Sequence, residues 1–320
     1  MHIDSMIPAL QIKDLRVQYG AFTAIKKCDL EIMDGEIFGL LGPNAAGKST
    51  VMKAISGQID PSAGSVLYWG EDFRIDREKL KKAIGVVPQE YSFAQDFTVD
   101  YNLEFIAKMY GFGGLELKET VDRQVSSYLL EKQRGKISGM LSGGYKRLLN
   151  FALSTMHNPR LLLLDEPTVG LDPDIRATVW KIIQNLREEG HTVILTTHYL
   201  EEATFLCDRL AIIFQGDILV CGTPSELTDK YGGDTTIFLQ LAGGPERIVD
   251  EAKRIKGVIT SVTRADVLVT TCNNKSVIKV ISALNGLVEK AGLGVKDTYV
   301  KEPTLDDVFK AVVGRELEVK

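Results

Sequence analysis

The 320-residue chain carries 38 Lys and Arg against 43 Asp and Glu, a net charge of −5, so no general attraction to nucleic acid or anionic lipid is expected. Hydrophobic content of 44% and charged content of 25% are ordinary for a globular protein, and the length suits two domains. Cys28, Cys207, Cys221 and Cys272 form no Cys-x-x-Cys pair, which argues against a disulfide frame or a zinc site and for thiols in a reducing cytoplasm. No apolar run reaches the ~20 residues of a membrane span. Met1–Leu10 lacks the basic and apolar regions of a signal peptide, so the chain is expected neither to cross a membrane nor to be secreted.

Gln11–Val17 alternates polar and apolar residues, as a half-buried strand does. A turn at Tyr19-Gly20, a second strand over Ala24–Met33 and a hairpin signal at Asp34-Gly35 follow. Glu36–Leu41 reads as a buried strand that delivers Gly42-Pro43-Asn44-Ala45-Ala46-Gly47-Lys48-Ser49-Thr50, and Val51–Ile55 reads as the body of a helix. A Gly-x-x-x-x-Gly-Lys-Ser loop between strand and helix has the context of a phosphate-binding P-loop. Backbone N–H groups and the helix dipole converge on one spot there. In such a loop Lys48 reaches the β- and γ-phosphates and the Ser49 hydroxyl a Mg²⁺ ion. Tyr19 lies on the β-layer beside this loop, where it is either an aromatic that stacks on adenine or a surface turn residue.

Ser65–Trp69 is a short strand, and Ile84–Val87 a buried one that ends at Pro88-Gln89. Gln89 is thereby placed to reach a ligand beyond the strand's carboxyl end, or simply to face solvent in a loop. Thr98 caps a helix through Tyr110 that stops at Gly111, and Leu117–Leu130 reads as a second helix, so a helical insertion interrupts the α/β alternation. Ser142-Gly143-Gly144-Tyr145 opens a helix to Met156. Ser142 is its N-cap, and the glycines leave open a second phosphate-facing helix end. Arg160–Leu164 is an apolar strand ending in Asp165-Glu166, an acid pair that suits either helix capping or a Mg²⁺ shell and a water. Asp172-Pro173 starts a helix that Gly190 ends, and Thr192–Thr196 is a strand ending in Thr197-His198. His198 is either a structural hydrogen-bonder or a functional group at a strand's carboxyl end. Leu210–Phe214 and Asp217–Cys221 form a hairpin, Thr223–Glu226 starts a short helix, and Tyr231–Gly233 reads as a linker.

The tail is read as a smaller domain. Strands at Thr235–Leu241, Val258–Thr263, Val267–Thr271 and Val295–Val300 alternate with helices at Pro245–Ile255 and Ser276–Ala291, the βαββαβ order of a ferredoxin-like unit. A capping box at Thr304–Asp307 opens a last helix that Gly314 is expected to end.

Taken together, these motifs resemble, in family order from Leu10 to about Tyr231, the nucleotide-binding subunit of ATP-binding cassette (ABC) transporters. The chain is most similar to the stand-alone ATPase subunits of bacterial and archaeal ABC-2-type exporters. Ser142-Gly143-Gly144 resembles the ABC signature, and the tail, through its Pro-Thr-Leu-Asp-Asp-Val-Phe ending, resembles the accessory region such exporters carry. The implied fold is an α/β P-loop ATPase core with an antiparallel β-layer. Residues 1–231 form the ATPase domain, with a helical subdomain over about 98–158, and residues 234–320 a ferredoxin-like C-terminal accessory domain. The resemblance implies ATP and Mg²⁺ as cofactors, hydrolysis coupled to transport, and a separate transmembrane permease. It implies a homodimer closing on two ATP molecules and a location on the cytoplasmic face of the cell membrane through the permease.

By the same resemblance Tyr19 stacks on adenine, Gly42–Thr50 cradles the phosphates, and Gln89 senses Mg²⁺ and the membrane partner. Asp165 holds Mg²⁺ through its shell together with Ser49, Glu166 polarises the attacking water, and His198 contacts the γ-phosphate. Ser142 and Gly144 touch the γ-phosphate bound by the opposite protomer. Two positions depart from the family pattern: Ala45 stands where Gly is usual, and Tyr145 where Gln is usual. An alanine at positive φ costs of order 1 kcal/mol. The alternatives are a soluble ABC ATPase acting on nucleic acid or ribosomes and a non-catalytic regulatory cassette. The single cassette and the negative charge disfavour the first, and the complete Glu166 and His198 set disfavours the second.

Overall fold

A computed structural model describes residues 7–72 and 76–318. The part of the signal-peptide reading that falls on Met1–Met6 lies outside the described residues. The chain divides into two compact units between Pro224 and Ser225.

In the first unit, β1 (Leu10–Tyr19) and β2 (Phe22–Ile32) form an antiparallel pair. Leu10, Ile12, Leu15 and Val17 are buried while Lys13, Arg16 and Gln18 are exposed, the two-residue period of a half-covered sheet interrupted once, at Asp14, where φ is 46 and the register with β2 shifts. Then come β3 (Ile37–Leu41), α1 (Lys48–Ile55), β4 (Ala63–Tyr68), β5 (Glu71–Asp72), α2 (Arg77–Ala83) and β6 (Ile84–Val87). The helical insertion is α3 (Val99–Met109), α4 (Gly114–Ser127) and α5 (Gly143–Ser154). Thr98 accepts from Tyr101 N as the cap of α3, as its sequence position suggests. The chain returns as β7 (Leu161–Asp165), α6 (Pro173–Glu188), β8 (Thr192–Thr197), α7 (Leu200–Leu206), β9 (Arg209–Phe214) and β10 (Asp217–Gly222).

Among the described residues these ten strands make one sheet in the order β5-β4-β1-β2-β10-β9-β3-β8-β7-β6. β9, β3, β8, β7 and β6 are mutually parallel, so their carboxyl ends share one edge. Covered on both faces, these strands need no polar alternation: Leu161 to Leu164 are each wholly buried.

The Asp34-Gly35 turn is not the hairpin the sequence suggested. β2 and β3 do not pair, because β10 and β9 lie between them. An Asp-Gly dipeptide meets the local demand of a turn, with Gly35 at φ 77, but it does not choose the partner strand. The Asp34 carboxylate instead accepts from Trp69 Nε1 and Thr192 Oγ1, joining the antiparallel layer to the parallel one.

α8 (Pro224–Tyr231) crosses the division, which therefore falls earlier than the Tyr231–Gly233 stretch read as a linker. The second unit continues as β11 (Thr235–Ala242), α9 (Val249–Ala252), β12 (Val258–Arg264), β13 (Val267–Cys272), α10 (Val277–Lys290), β14 (Gly294–Lys301) and α11 (Leu305–Glu318). Its sheet has the order β12-β13-β11-β14 with every pairing antiparallel. Ile237, Leu239, Leu241 and Leu268 on one face of the sheet share a core with Val280, Leu284 and Val288 of α10. Two expectations fail here. The helix expected over Pro245–Ile255 is a 3₁₀ turn at Pro245–Arg247 and the single turn α9, because Ile248 leaves helical geometry at φ −120, ψ −4. Gly314 does not end the last helix, which runs on to Glu318. A helical glycine costs about 1 kcal/mol relative to alanine, which weakens a helix without stopping it.

Candidate functional site

The shared edge of the parallel strands gathers the residues singled out in the sequence. β3 runs into Gly42–Thr50, β7 ends at Asp165 with Glu166 next, β8 is followed by His198, and β6 by Pro88-Gln89. Tyr19, Phe22, the loop from Asn44 to Thr50, Gln89, Glu166, Val169 and His198 line one open cleft of about 640 Å³.

Two residues of the loop hold left-handed conformations, Ala45 at φ 63 and Gly47 at φ 112. Gly47 is the N-cap of α1 and supplies no side-chain acceptor, so the N–H groups of the first turn, Lys48 to Thr50, are left to an external one. A side chain at Gly47 would also collide with Ile25, its Cβ lying 2.6 Å from Ile25 Cδ1. Lys48, 4% exposed, donates to Gly42 O at 2.8 Å and Pro43 O at 3.1 Å, and its Nζ lies 3.2 Å from Glu166 Oε1. The ammonium thus folds back onto its own loop.

Asp165 lies behind Ser49, whose hydroxyl donates to Asp165 Oδ1 at 3.2 Å. Thr196 Oγ1 donates to the same oxygen at 2.6 Å and accepts from Glu166 N at 2.9 Å. Glu166, 8% exposed, is held at φ 45. Its Oε1 lies 3.4 Å from His198 Nδ1, which is buried and makes no hydrogen bond in this geometry. The set is therefore an anion-receptive helix end, a buried lysine, a hydroxyl–carboxylate pair of hard oxygens and a carboxylate beside an imidazole. It suits a polyphosphate, a divalent cation and an attacking water. Among the described residues no three His, Cys, Asp or Glu side chains cluster as a metal site.

Ser142, Gly143 and Gly144 do not line this cleft. The Ser142 hydroxyl caps α5 by accepting from Tyr145 N at 3.5 Å, and a Cβ on Gly144 would lie 2.9 Å from Ile175. The buried Arg147 guanidinium donates to Pro88 O at 2.7 Å and Gln89 O at 2.8 Å, tying α5 to the segment that carries Gln89. Burial pulls the Arg147 pKa below the usual guanidinium value.

Sequence reasoning missed Phe22, Thr196 and Val169. Phe22 pairs with Tyr19 across the tip of the β1–β2 hairpin, and the two rings are 67% and 46% exposed at the cleft rim. Hairpin register, once fixed, would have found it. Thr196 ends an apolar run, and only the neighbouring strand β7 gives its hydroxyl a purpose.

Fold and cleft together define a P-loop ATPase. The ABC transporter family profile matches residues 25–169. The linearmycin resistance ATP-binding protein LnrL of Bacillus subtilis (strain 168) is 36% identical over 313 residues, 96% of this chain and 99% of that one. The Nod factor export ATP-binding protein I of Rhizobium sp. (strain N33) is 35% identical over 97% of this chain and 98% of its own length. Among solved structures, cbiO1 from Clostridium perfringens, part of the ABC transporter complex cbiONQ, superposes with a TM-score of 0.65 at 25% identity, covering 77% of this chain and 95% of that one. The chain belongs to the ABC transporter family: it is an ATP-binding subunit and an ATPase. No helix among the described residues is long and apolar enough to cross a membrane.

Proposed function

We propose that this ATPase powers export through a separate transmembrane permease, working as a homodimer on the cytoplasmic face of the membrane. The observation that carries the reading is the convergence of Lys48, Ser49, Asp165, Glu166 and His198 on one sheet edge beside an uncapped helix N-terminus. The direction is supported by the names of the two relatives, one tied to resistance and one to export. The permease is supported by the description of cbiO1 as part of a transporter complex.

The P-loop N–H groups and Lys48 bind the ATP phosphates, and Tyr19 with Phe22 offers a stacking surface for the base. Ser49 and Asp165, with Gln89 lining the same cleft as Ser49, would hold Mg²⁺, which when bound neutralises phosphate charge. On ATP binding Lys48 exchanges the Gly42 and Pro43 carbonyls and Glu166 for phosphate oxygens. The exchange frees the Glu166 carboxylate to take a proton from water, a positioned-base contribution of roughly 10²–10⁴ in rate. His198 orients the γ-phosphate. Ser142 and Gly143, exposed at the start of α5, and the buried Gly144 next to them do not line this cleft and serve the ATP of a second copy. Purification of the chain from its native membranes tests the reading: a co-purifying polytopic protein that stimulates ATP hydrolysis is expected, and a ribosome or nucleic acid in its place would overturn it.

The unit after the cassette carries none of the cleft residues, and we assign it to assembly and not to chemistry. A truncation ending at Gly233 is expected to keep ATP affinity and maximal turnover when assayed at high protein concentration, where mass action compensates weak dimerisation. A folded truncation that binds ATP without ever hydrolysing it would contradict this.

A further inference from the structure

Glu202, on α7, is 1% exposed and has no part in the chemistry above. Its Oε1 accepts from Thr168 Oγ1 at 2.7 Å and from Trp180 Nε1 at 3.0 Å, while Oε2 is buried with no hydrogen-bond partner. A buried carboxylate satisfied on one oxygen only is costly for stability, so what it holds matters. Thr168 is wholly buried and stands two residues after Glu166 in a tight turn, where Val169 N donates to Glu166 O at 3.3 Å and Leu171 N to Thr168 O at 3.2 Å. Glu166 itself sits in the left-handed region, a strained conformation for a residue with a Cβ, which persists only if its surroundings over-determine it. One restraint lies upstream, the bond from Glu166 N to Thr196. The other lies downstream, the bond from Thr168 to Glu202. α7 begins at Leu200, directly after His198 and Tyr199. The anchor of the Glu166 turn is therefore carried by the same segment as His198. Trp180, on α6, completes the clamp and stacks on Phe205 of α7 at 5.0 Å between ring centres.

We propose that Glu202 is a positioning residue: through Thr168 it locks the Glu166 turn to the His198 segment, so that Glu166, His198 and Lys48 keep one mutual geometry. The inference rests on Glu166 as the group that activates water. Glu202 touches neither substrate nor reacting atoms, and its effect is on alignment. A displacement of about 1 Å at a reacting group costs on the order of 100-fold in rate.

Steady-state ATPase assays on the full chain test this with three variants. Thr168→Val removes the hydroxyl and keeps the shape, Thr168→Ser keeps the hydroxyl, and Trp180→Phe removes the other bond to Glu202 together with part of the ring packed on Phe205. Thr168→Val should lower kcat about 10–100-fold with KM for ATP within about two-fold. Thr168→Ser should restore most of the rate. Trp180→Phe should lower Tm while leaving kcat within about two-fold. Unchanged kcat in Thr168→Val overturns the proposal. So does a Trp180→Phe variant that loses as much kcat as Thr168→Val, because the cluster would then matter only as packing. Glu166→Gln in the same assay separates the two claims. Its full turnover would overturn the Glu166 assignment and this inference with it, whereas full turnover in Thr168→Val alone removes only the anchor.

Discussion

Lys48 Nζ and Glu166 Oε1 are 3.2 Å apart, with side chains 4% and 10% exposed, so the cation we propose to bind phosphate and the carboxylate we propose to handle water form an ion pair. In the proposed mechanism nucleotide binding breaks that pair and so couples occupancy of the P-loop to release of the base.

Lys48→Ala is expected to abolish ATPase activity and to weaken ATP binding severely. It should also destabilise the nucleotide-free protein, by up to about 3 kcal/mol, because it leaves the Glu166 carboxylate in a confined site without its counter-charge. Isothermal titration with ATP and thermal melts without it check both parts. Normal turnover in this variant would remove the P-loop assignment.

Glu166→Gln is expected to bind MgATP and barely hydrolyse it, since the amide can hold a water and cannot accept its proton. A closed dimer should then accumulate, visible by sizing chromatography with and without ATP. A variant that stays monomeric at saturating ATP would count against two copies closing on the nucleotide.

Ala45→Gly tests the one departure inside the loop. Ala45 holds φ 63, where the methyl group is penalised and glycine is not. The substitution should raise stability by up to about 1 kcal/mol, or about 2–4 °C in the cassette's melting midpoint. An unchanged or lower midpoint would mean that the loop relaxes around the alanine.

Thiol labelling should single out Cys221. It is exposed, whereas Cys28, Cys207 and Cys272 are buried. Burial pushes the Cys28 thiol up to about 12 and the Cys207 thiol up further still, so neither is a thiolate near pH 8, and thiolate is the reactive form. Alkylation of the folded protein at that pH should therefore modify Cys221 quickly and the other three only after unfolding, as peptide mass spectrometry would show. Rapid labelling of Cys28 in the native state would contradict the packing of β2.

The cassette was legible in its parts. Gly42–Thr50 announces itself because donors, dipole and lysine must be contiguous to cradle a phosphate. Asp165, Glu166 and His198 could be singled out because each stands at the end of an apolar strand, and parallel strands end on one edge. Thr196 and Glu202 were not legible. Their significance is a hydrogen bond to a residue far away in sequence, Asp165 in one case and Thr168 in the other, and no local pattern encodes such a pair. Phe22 was hidden because its role depends on lying opposite Tyr19, which turn geometry decides. The Asp34-Gly35 turn misled for the same reason: the dipeptide reports a bend, while the neighbour of β2 is chosen by residues more than 180 positions later.

That late insertion has a consequence for how the chain is made. β10 pairs with β2 through Asp217 and Lys27, β9 pairs with β3, and Gly216 at the tip of their hairpin donates to Ala46 O and accepts from Lys26 N. As the chain leaves the ribosome, β2 and β3 emerge early, each with an edge that stays unsatisfied until residues 209–222 appear. The phosphate loop, anchored in part by Gly216, cannot settle before then. The cassette is thus a structure completed from its far end. Nascent chains stalled before β9 should expose two open strand edges, the state in which a β-rich chain is most prone to pair with the wrong partner and most in need of a chaperone.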